Sequence, residues 1–191
     1  MSENTFYDNN ARLSGLKHLQ GKQVKIWDCT LRDGEQAPGV SFNPIEKIKL
    51  AKALDAAGVA ILDAAMPIVS EYERQALRGM VETGLKAEIG ATVRTEEIDI
   101  DLAKECGVQW VYMFLSTSPI HLHHKFGIQE EQAREKALKF SDYAHKKGLK
   151  VTYIAEDSAR SNPEYLITLF TDLHQAGVER IMICDTVGVF T

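Results

Sequence analysis

A dense group of polar side chains follows a short apolar segment near the start of the chain. In the sequence KIWDCTLRDGEQAPGV, residues 25–40, Arg32 stands next to Asp33, and Glu35 and Gln36 follow after one glycine. A carboxylate beside a guanidinium can hold a metal ion or stabilise an oxyanion. An isolated Arg-Asp pair is more often a solvated turn at the surface, so these residues alone leave both interpretations open.

The rest of the chain alternates between apolar runs of strand length and amphipathic stretches of helix length. The spacing predicts strands near residues 24–27, 59–65, 87–93, 108–115, 150–155 and 178–184, and helices over residues 43–58, 70–83, 95–105, 129–147 and 162–175. The expected helix stops are glycines in the left-handed conformation, at positions 58, 107, 148 and 177. Repeated βα units predict a doubly wound sheet or a (β/α)₈ barrel, whose ligand sites form at the carboxyl ends of the strands.

Composition favours one globular domain and excludes several classes of partner. The chain has 191 residues, is 45% hydrophobic and carries a net charge of −5, without the basic bias of a nucleic-acid-binding protein. No apolar run approaches the ~20 residues needed to span a bilayer, and the first residues do not resemble a signal peptide. We therefore expect a cytoplasmic protein with no nucleic-acid or membrane partner. Cys29, Cys106 and Cys184 have no paired spacing, which predicts buried free thiols.

The string DCTLRDGEQAPG, residues 28–39, resembles the first-strand signature of the pyruvate-carboxyltransferase-like (DRE-TIM) metalloenzymes. This family includes 2-isopropylmalate, homocitrate and citramalate synthases and hydroxymethylglutaryl-CoA lyase. Its synthases carry the Glu-Gln pair seen at Glu35 and Gln36, whereas its lyases have Leu-Gln. The segment CDTVG, residues 184–188, resembles the strand-six motif of the same family.

The resemblance implies a TIM (β/α)₈ barrel. We expect residues 1–22 to form an N-terminal arm and residues 23–191 to form a partial barrel with about six of the eight βα units. A barrel that lacks two units would be a fragment or a truncated product with exposed sheet edges, which predicts association or instability.

The activity implied by the resemblance is a condensation of acetyl-CoA with a 2-oxo acid to a 2-alkylmalate-type product. A divalent metal ion (Mg²⁺, Mn²⁺ or Zn²⁺) would be held by Asp33 and by two family histidines on a seventh strand that this chain does not reach. We expect the full-length protein to be a homodimer and the 191-residue chain alone to be inactive. A lyase or aldolase of the same fold and a non-catalytic barrel remnant remain alternatives.

Polar residues at the strand ends complete the expected site. The resemblance gives Arg32 the role of stabilising negative charge on oxygen, and gives Glu156, in the segment AEDSAR, that of proton transfer. Asp63 stands where the synthases usually have glutamate, which leaves the identity of the 2-oxo acid open. The expected substrate-binding residues are Gln36, Asp63, Arg94, Ser116, Thr117, His121, Arg160 and Thr186.

Several of these residues also have purely structural interpretations. Arg94 would otherwise be a surface residue at a helix start, and Ser116 and Thr117 would form a capped turn. His121 and His123 have the spacing of a metal-ligand pair on an extended segment. The surrounding sequence TSPIHLHHKFG resembles the family's TSxIH segment instead, whose histidine lines the substrate pocket.

Overall fold

The computed structural model describes residues 21 and 23–190. The arm predicted for residues 1–22 therefore lies outside the described residues, apart from Gly21. The strands are β1 (Trp27–Asp28), β2 (Ile61–Ala65), β3 (Glu88–Arg94), β4 (Trp110–Ser116), β5 (Lys150–Glu156) and β6 (Arg180–Ile183). The helices are α1 (Pro44–Ala56), α2 (Glu71–Glu82), α3 (Glu97–Glu105), the single turn α4 (Pro119–His121), α5 (Glu130–Lys146) and α6 (Pro163–Gln175). These confirm the predicted alternation, whereas α4 and the π-helical turn Leu122–Phe126 were not predicted.

The helix ends show why local sequence signals worked. The Asn43 side chain accepts the backbone N–H of Glu46, and the Glu46 side chain accepts that of Asn43, which forms a capping box at the start of α1. Beyond the end of α1, Gly58 has a φ of +88°, a conformation that costs a residue with a Cβ atom about 1–2 kcal/mol. The predicted glycines at 107, 148 and 177 also have positive φ angles.

The strand order decides between the two folds that the sequence left open. All neighbouring strands are parallel, and they pair in the order β1-β2-β3-β4-β5-β6. A doubly wound sheet reverses its strand order at a switch point, whereas a barrel adds each strand beside the previous one. The sheet is therefore six strands of a (β/α)₈ barrel.

β1 is shorter than predicted. Its pairing begins at Trp27, and the side chains of Val24 and Ile26 are 90% and 63% exposed. The strand has a single described neighbour, so its first residues lack a second strand that would cover them. No helix among the described residues is both long and apolar enough to cross a membrane.

In the described part of the chain, two apolar cores lie on opposite faces of the sheet. The larger one fills the space between the sheet and the helices and includes Leu62, Val111 and Val151 from three strands. The smaller one lies on the concave face and is built around Tyr112 and Ile154, which have the opposite parity along their strands. Residue parity therefore separates packing positions from positions that face the barrel interior.

One ion pair near the amino ends of the strands shows how strongly the sheet curls. Arg180 on β6 donates two hydrogen bonds of 2.9 Å to the carboxylate of Glu88 on β3. Its guanidinium also lies 5.4 Å from the ring centre of Trp27 on β1. In a flat sheet with a strand spacing of ~4.8 Å, β1 and β6 would be ~24 Å apart. These contacts therefore require a curved sheet.

A glycine on β3 makes room for the large concave-face side chain on β4. A Cβ atom built on Gly90 would lie 2.1 Å from Cζ of Tyr112, whose ring is fully buried. The hydroxyl of Tyr112 donates to Glu88 at 3.1 Å, so the ring also takes part in the interior charge network.

We expect Glu88→Gln to lower the free energy of unfolding by about 1–3 kcal/mol, because the half-buried Arg180 cation would lose its paired charge. Urea unfolding followed by circular dichroism would measure this change. Asp142→Asn, which removes an exposed ion pair with Lys146, is the matched control and should change stability by less than about 0.5 kcal/mol. Equal unfolding midpoints for the two variants would contradict a role for Glu88 in holding the curl.

Candidate functional site

A cavity of about 570 Å³ opens at the carboxyl ends of the strands, and we call it the mouth cavity. Its apolar walls come from concave-face residues such as Phe114, Ile154 and Met182. Polar side chains from the first two and the last two strands, or from the segments that follow them, line the same cavity: Arg32, Asp33, Gln36, Asp63, Glu156 and Thr186. The structure therefore brings six of the predicted site residues to one cavity.

Arg32 is held in the mouth cavity by a buried carboxylate. Its Nε and Nη2 atoms lie 2.7 and 2.6 Å from Oδ2 of Asp63 on β2, while the other oxygen of Asp63 accepts a 2.7 Å hydrogen bond from Thr92 on β3. Burial raises the pKa of Asp63, and Arg32 and Thr92 oppose that effect. Burial alone would lower the pKa of Arg32, but the charge and the hydrogen bonds of Asp63, together with the charge of Asp33, raise it, so the guanidinium stays protonated.

The segment that carries Arg32, which we call the first loop (residues 29–42), begins with a compact turn. The carbonyl of Cys29 accepts the N–H groups of Arg32, Asp33 and Gly34 at 3.2, 2.9 and 3.0 Å. This turn places Asp33 beside Arg32, whose Nη1 donates to Asp33 Oδ1 at 3.0 Å. The side chain of Asp33 is 64% exposed, and its Oδ2 accepts no hydrogen bond from the described residues.

The donor chemistry of Asp33 fits one position of a divalent-metal site. An accessible carboxylate oxygen that shares the mouth cavity with the Gln36 amide and the Thr186 hydroxyl suits a hard cation such as Mg²⁺ or Mn²⁺. In the part of the chain that the structure describes, no group of three or more His, Cys, Asp or Glu side chains could hold a metal. These residues therefore supply one strong ligand rather than a complete coordination sphere.

The cysteines only partly match their predicted burial. Cys106 is buried, whereas Cys29 and Cys184 are half-buried and line the mouth cavity. Burial, together with the nearby charge of Asp63, raises the pKa of Cys29 to about 11. Burial also raises the pKa of Cys184. Both thiols therefore stay protonated at neutral pH and are poor nucleophiles.

Glu156 occupies the opposite side of the mouth, at the end of β5. The register pairs Ser116 with Glu156, so both side chains point to the concave face, and the Ser116 hydroxyl donates to Glu156 Oε2. Oγ of Ser116 also lies 3.1 Å from Nδ1 of His121. Lys125 donates to both carboxylate oxygens at 3.1 and 2.9 Å. Glu156 is therefore fixed by a serine and a lysine, with His121 one hydrogen bond away.

The structure places Arg160 against Asp157 and not against Glu156. Asp157 adopts a left-handed conformation, with φ +59°, which turns its buried carboxylate toward Arg160 and Ser118. Burial alone would raise the pKa of Asp157, but the hydrogen bonds from Arg160 and Ser118 hold it below its usual range. The predicted contact of Arg160 with substrate stays a prediction.

Three other predicted residues have structural contacts of their own. Arg94 makes a two-pronged ion pair with Asp99 in the first turn of α3, at 2.9 and 2.7 Å, and does not line the mouth cavity. The hydroxyl of Thr117 donates to the backbone carbonyl of Glu156 at 3.2 Å. Thr186 accepts the N–H of Asp157 at 2.9 Å while it faces the cavity. Substrate binding by Arg94, Thr117 and Thr186 stays a prediction.

The histidine pair is not arranged as the extended-segment interpretation requires. His121 ends α4, and His123 lies in the π-helical turn that follows it. Side chains two positions apart on a helical segment point in different directions. His121 is near Glu156, whereas the exposed His123 lines a separate cavity.

Sequence reasoning missed two contacts that hold the carboxylates of the site. Thr92 holds Asp63, and Lys125 pairs with Glu156. The signal for Thr92 was its position between the apolar Ala91 and Val93, which pack toward the helices, because alternation along a strand then assigns Thr92 to the concave face. Lys125 had no comparable signal, because its position depends on the unpredicted π-helical turn.

The chain matches the HMGL-like family over residues 23–191. (R)-Citramalate synthase CimA of Methanocaldococcus jannaschii is 45% identical over 168 residues, a match that covers 88% of this chain and 34% of that protein. Homocitrate synthase AksA of Methanopyrus kandleri is 41% identical, with 87% of this chain and 42% of that protein covered. The chain thus spans between about a third and two fifths of the length of these relatives.

Solved structures share the fold. The HMG-CoA lyase of Bacillus subtilis superposes with a TM-score of 0.76 at 19% identity, over 89% of this chain and 60% of that chain. An HMG-CoA lyase of Pseudomonas aeruginosa gives a TM-score of 0.72 at 20% identity, over 89% of this chain and 60% of that chain.

The lyase structures share the overall fold, and the family match includes both the Arg32–Asp33 turn and the strand end that carries Glu156. The protein therefore belongs to the HMGL-like (DRE-TIM) family of TIM-barrel proteins.

Proposed function

We propose that this chain carries part of the active site of an acyltransferase that condenses acetyl-CoA with a 2-oxo acid to a 2-alkylmalate-type product. The observation that carries the proposal is the arrangement around the mouth cavity, where Arg32 and Asp33 face a different carboxylate, Glu156. The synthase names of the relatives at 41–45% identity support this reaction class. Cytoplasmic location and homodimeric assembly stay predictions.

Arg32 is suited to bind and stabilise an anionic oxygen of the 2-oxo acid. A guanidinium has five N–H donors in a fixed plane, and the described contacts use three of them. The remaining donors can reach a carboxylate or a developing alkoxide in the cavity. Because Asp63 holds the guanidinium in place, little reorganisation is needed when negative charge develops.

Asp33 is the residue that would hold the divalent metal ion. When bound, the metal would supply Lewis-acid polarisation of the keto carbonyl. Gln36 follows in the same loop and lines the same cavity, so its amide can orient the 2-oxo acid.

Glu156 is the described residue best placed for proton transfer. It would take a proton from the methyl group of acetyl-CoA, and the resulting enolate would attack the keto carbon to form the new carbon–carbon bond. Arg32 would stabilise the charge that appears on the former keto oxygen. Hydrolysis of the thioester would then release CoA and make the sequence irreversible.

A lyase of the same fold is the second candidate, because the solved structures with the same fold include HMG-CoA lyases. At 19–20% identity these structures support the fold alone. The Glu35–Gln36 pair and the synthase relatives favour condensation over cleavage.

Asp33→Asn should abolish metal-dependent CoA release, because a neutral amide is a much poorer ligand than a carboxylate for a hard cation. The test needs a protein of the relatives' length, in which this chain replaces the matching segment of the M. jannaschii synthase. Thiol release with acetyl-CoA and a 2-oxo acid would be measured, with Asp142→Asn as the exposed control. Full activity of the chimera that carries Asp33→Asn would show that Asp33 is not a metal ligand.

In the same chimera, Glu156→Gln should lower turnover by about 10²-fold or more with little change in the KM for the 2-oxo acid. This split is expected because the amide keeps the hydrogen bond to Ser116 and cannot accept the proton. Steady-state kinetics would measure it, with Glu135→Gln on α5 as a control. An unchanged turnover number would show that Glu156 has a structural role only.

For the 191-residue chain alone, we expect no detectable condensation and no tight stoichiometric binding of a divalent metal. Among its described residues, no group of three or more His, Cys, Asp or Glu side chains could hold a metal, and an open mouth leaves the charges screened by water. Titration calorimetry with Mn²⁺ and Zn²⁺ and a thiol-release assay would test both statements. Sub-micromolar metal binding or steady CoA release would mean that His121 and His123, or a second copy of the chain, complete the site.

A further inference from the structure

Lys47, in the first half of α1, is a lysine with no exposed surface. Lysine is almost never fully buried unless its charge is paired, because removing an ammonium group from water costs several kcal/mol. Its Nζ atom lies 2.6 Å from Oε2 of Glu35 and makes a second ion pair with Oε1 of Glu73. Two carboxylates therefore share one buried cation.

In this cluster of Lys47, Glu35 and Glu73, the two remaining carboxylate oxygens accept hydrogen bonds from backbone N–H groups. Oε1 of Glu35 accepts the N–H of Phe42 at 2.7 Å, and Oε2 of Glu73 accepts the N–H of Met66 at 3.1 Å. The cluster therefore connects α1 and α2 with the middle and the last residue of the first loop and with the segment after β2. Each of the four carboxylate oxygens therefore has a partner within the chain.

Stability alone is a weak reason for such a cluster. Replacing a buried ion pair by well-packed apolar residues is often neutral or stabilising, and Ala51, one turn further along α1, is buried without any charge. What an apolar residue at position 47 would not provide is a directional contact with the first loop. Glu35 lies three residues after Arg32, beyond the turn closed by the Cys29 carbonyl.

The first loop thus has two charged anchors on its two sides. Asp63 holds the Arg32 guanidinium from inside the barrel, and Lys47 holds Glu35 from the helix layer. With only the first anchor, the backbone between Arg32 and Phe42 could move while the guanidinium stayed paired, and the carboxylate of Asp33 would move with the backbone.

We propose that Lys47 is a positioning residue, which fixes the first loop through Glu35 so that Arg32 and Asp33 face the mouth cavity together. The use of this loop to bind a substrate and a metal ion rests on the proposed function. The positioning itself is independent of turnover and can be measured in the chain as it stands.

Amide hydrogen exchange followed by NMR would test it on the 191-residue chain. We expect Lys47→Met to speed exchange of the Asp33 and Gly34 amides by about tenfold or more, with little change for amides of β3, β4 and β5. Lys49→Met, an exposed lysine on the same helix, is the matched control and should change neither set.

Glu35→Gln is the second variant, because Lys47→Met leaves two carboxylates facing each other and can unfold the chain. The glutamine keeps an acceptor for the Phe42 N–H and leaves the Lys47–Glu73 pair intact. It should still speed exchange of the Asp33 and Gly34 amides several-fold. Unchanged loop amides in this variant would overturn the proposal, as would an equal acceleration of all amides, which would show a purely global effect.

The hydrogen-exchange test of Lys47 and the activity test of the proposed function can fail independently of each other. If the loop amides respond as expected and the chimera with the M. jannaschii segment releases no CoA, the positioning role stands and the proposed reaction is wrong. If the chimera is active and the loop amides do not respond, the reaction stands and Lys47 has no positioning role.

Discussion

The pairing of Arg32 with Asp63 is the interaction on which the candidate site depends. An arginine aimed into an apolar-walled cavity needs a fixed counter-charge, and Asp63 supplies one at 2.6 Å from within the barrel. Thr92 occupies the second oxygen of Asp63, so a single network ties the ends of β1, β2 and β3. Arg32 also donates to one oxygen of Asp33, and the described contacts use three of its five N–H donors. The counter-charge therefore keeps the guanidinium in the mouth cavity with donors available for substrate, while Oδ2 of Asp33 accepts no hydrogen bond from the described residues.

The concave face is arranged in layers of alternating chemistry. Arg180 and Glu88 form a charged layer near the amino ends of the strands, and Tyr112, Phe114 and Ile154 form an apolar layer above it. The charged groups of the mouth cavity come next. The apolar layer places distance between the two sets of charges, which weakens their mutual Coulomb interaction. Tyr112 spans two layers because its hydroxyl reaches Glu88.

Local signals predicted the elements well, and side-chain partners poorly. Asn43 and Gly58 predict the two ends of α1, because helix capping and a positive φ angle are determined by residues that are adjacent in the sequence. The pairing of Arg160 with Asp157 depends on a left-handed aspartate that no local pattern specifies. In α1 the hydropathy pattern even points the wrong way, since Ile45 is 79% exposed and Lys47 is fully buried. Carboxylates that are distant in sequence cause this inversion, so only the tertiary structure reveals it.

The close approach of Gly90 and Tyr112 imposes an order on sequence divergence. A Cβ atom at position 90 would overlap the ring of Tyr112. Alanine can therefore replace Gly90 only after Tyr112 has been replaced by a smaller residue. The opposite order passes through an intermediate with a steric clash in the barrel interior. Loss of the ring first leaves a void, which a later methyl group at position 90 partly fills. Related sequences should therefore change position 112 before position 90, and the glycine should persist wherever the tyrosine does.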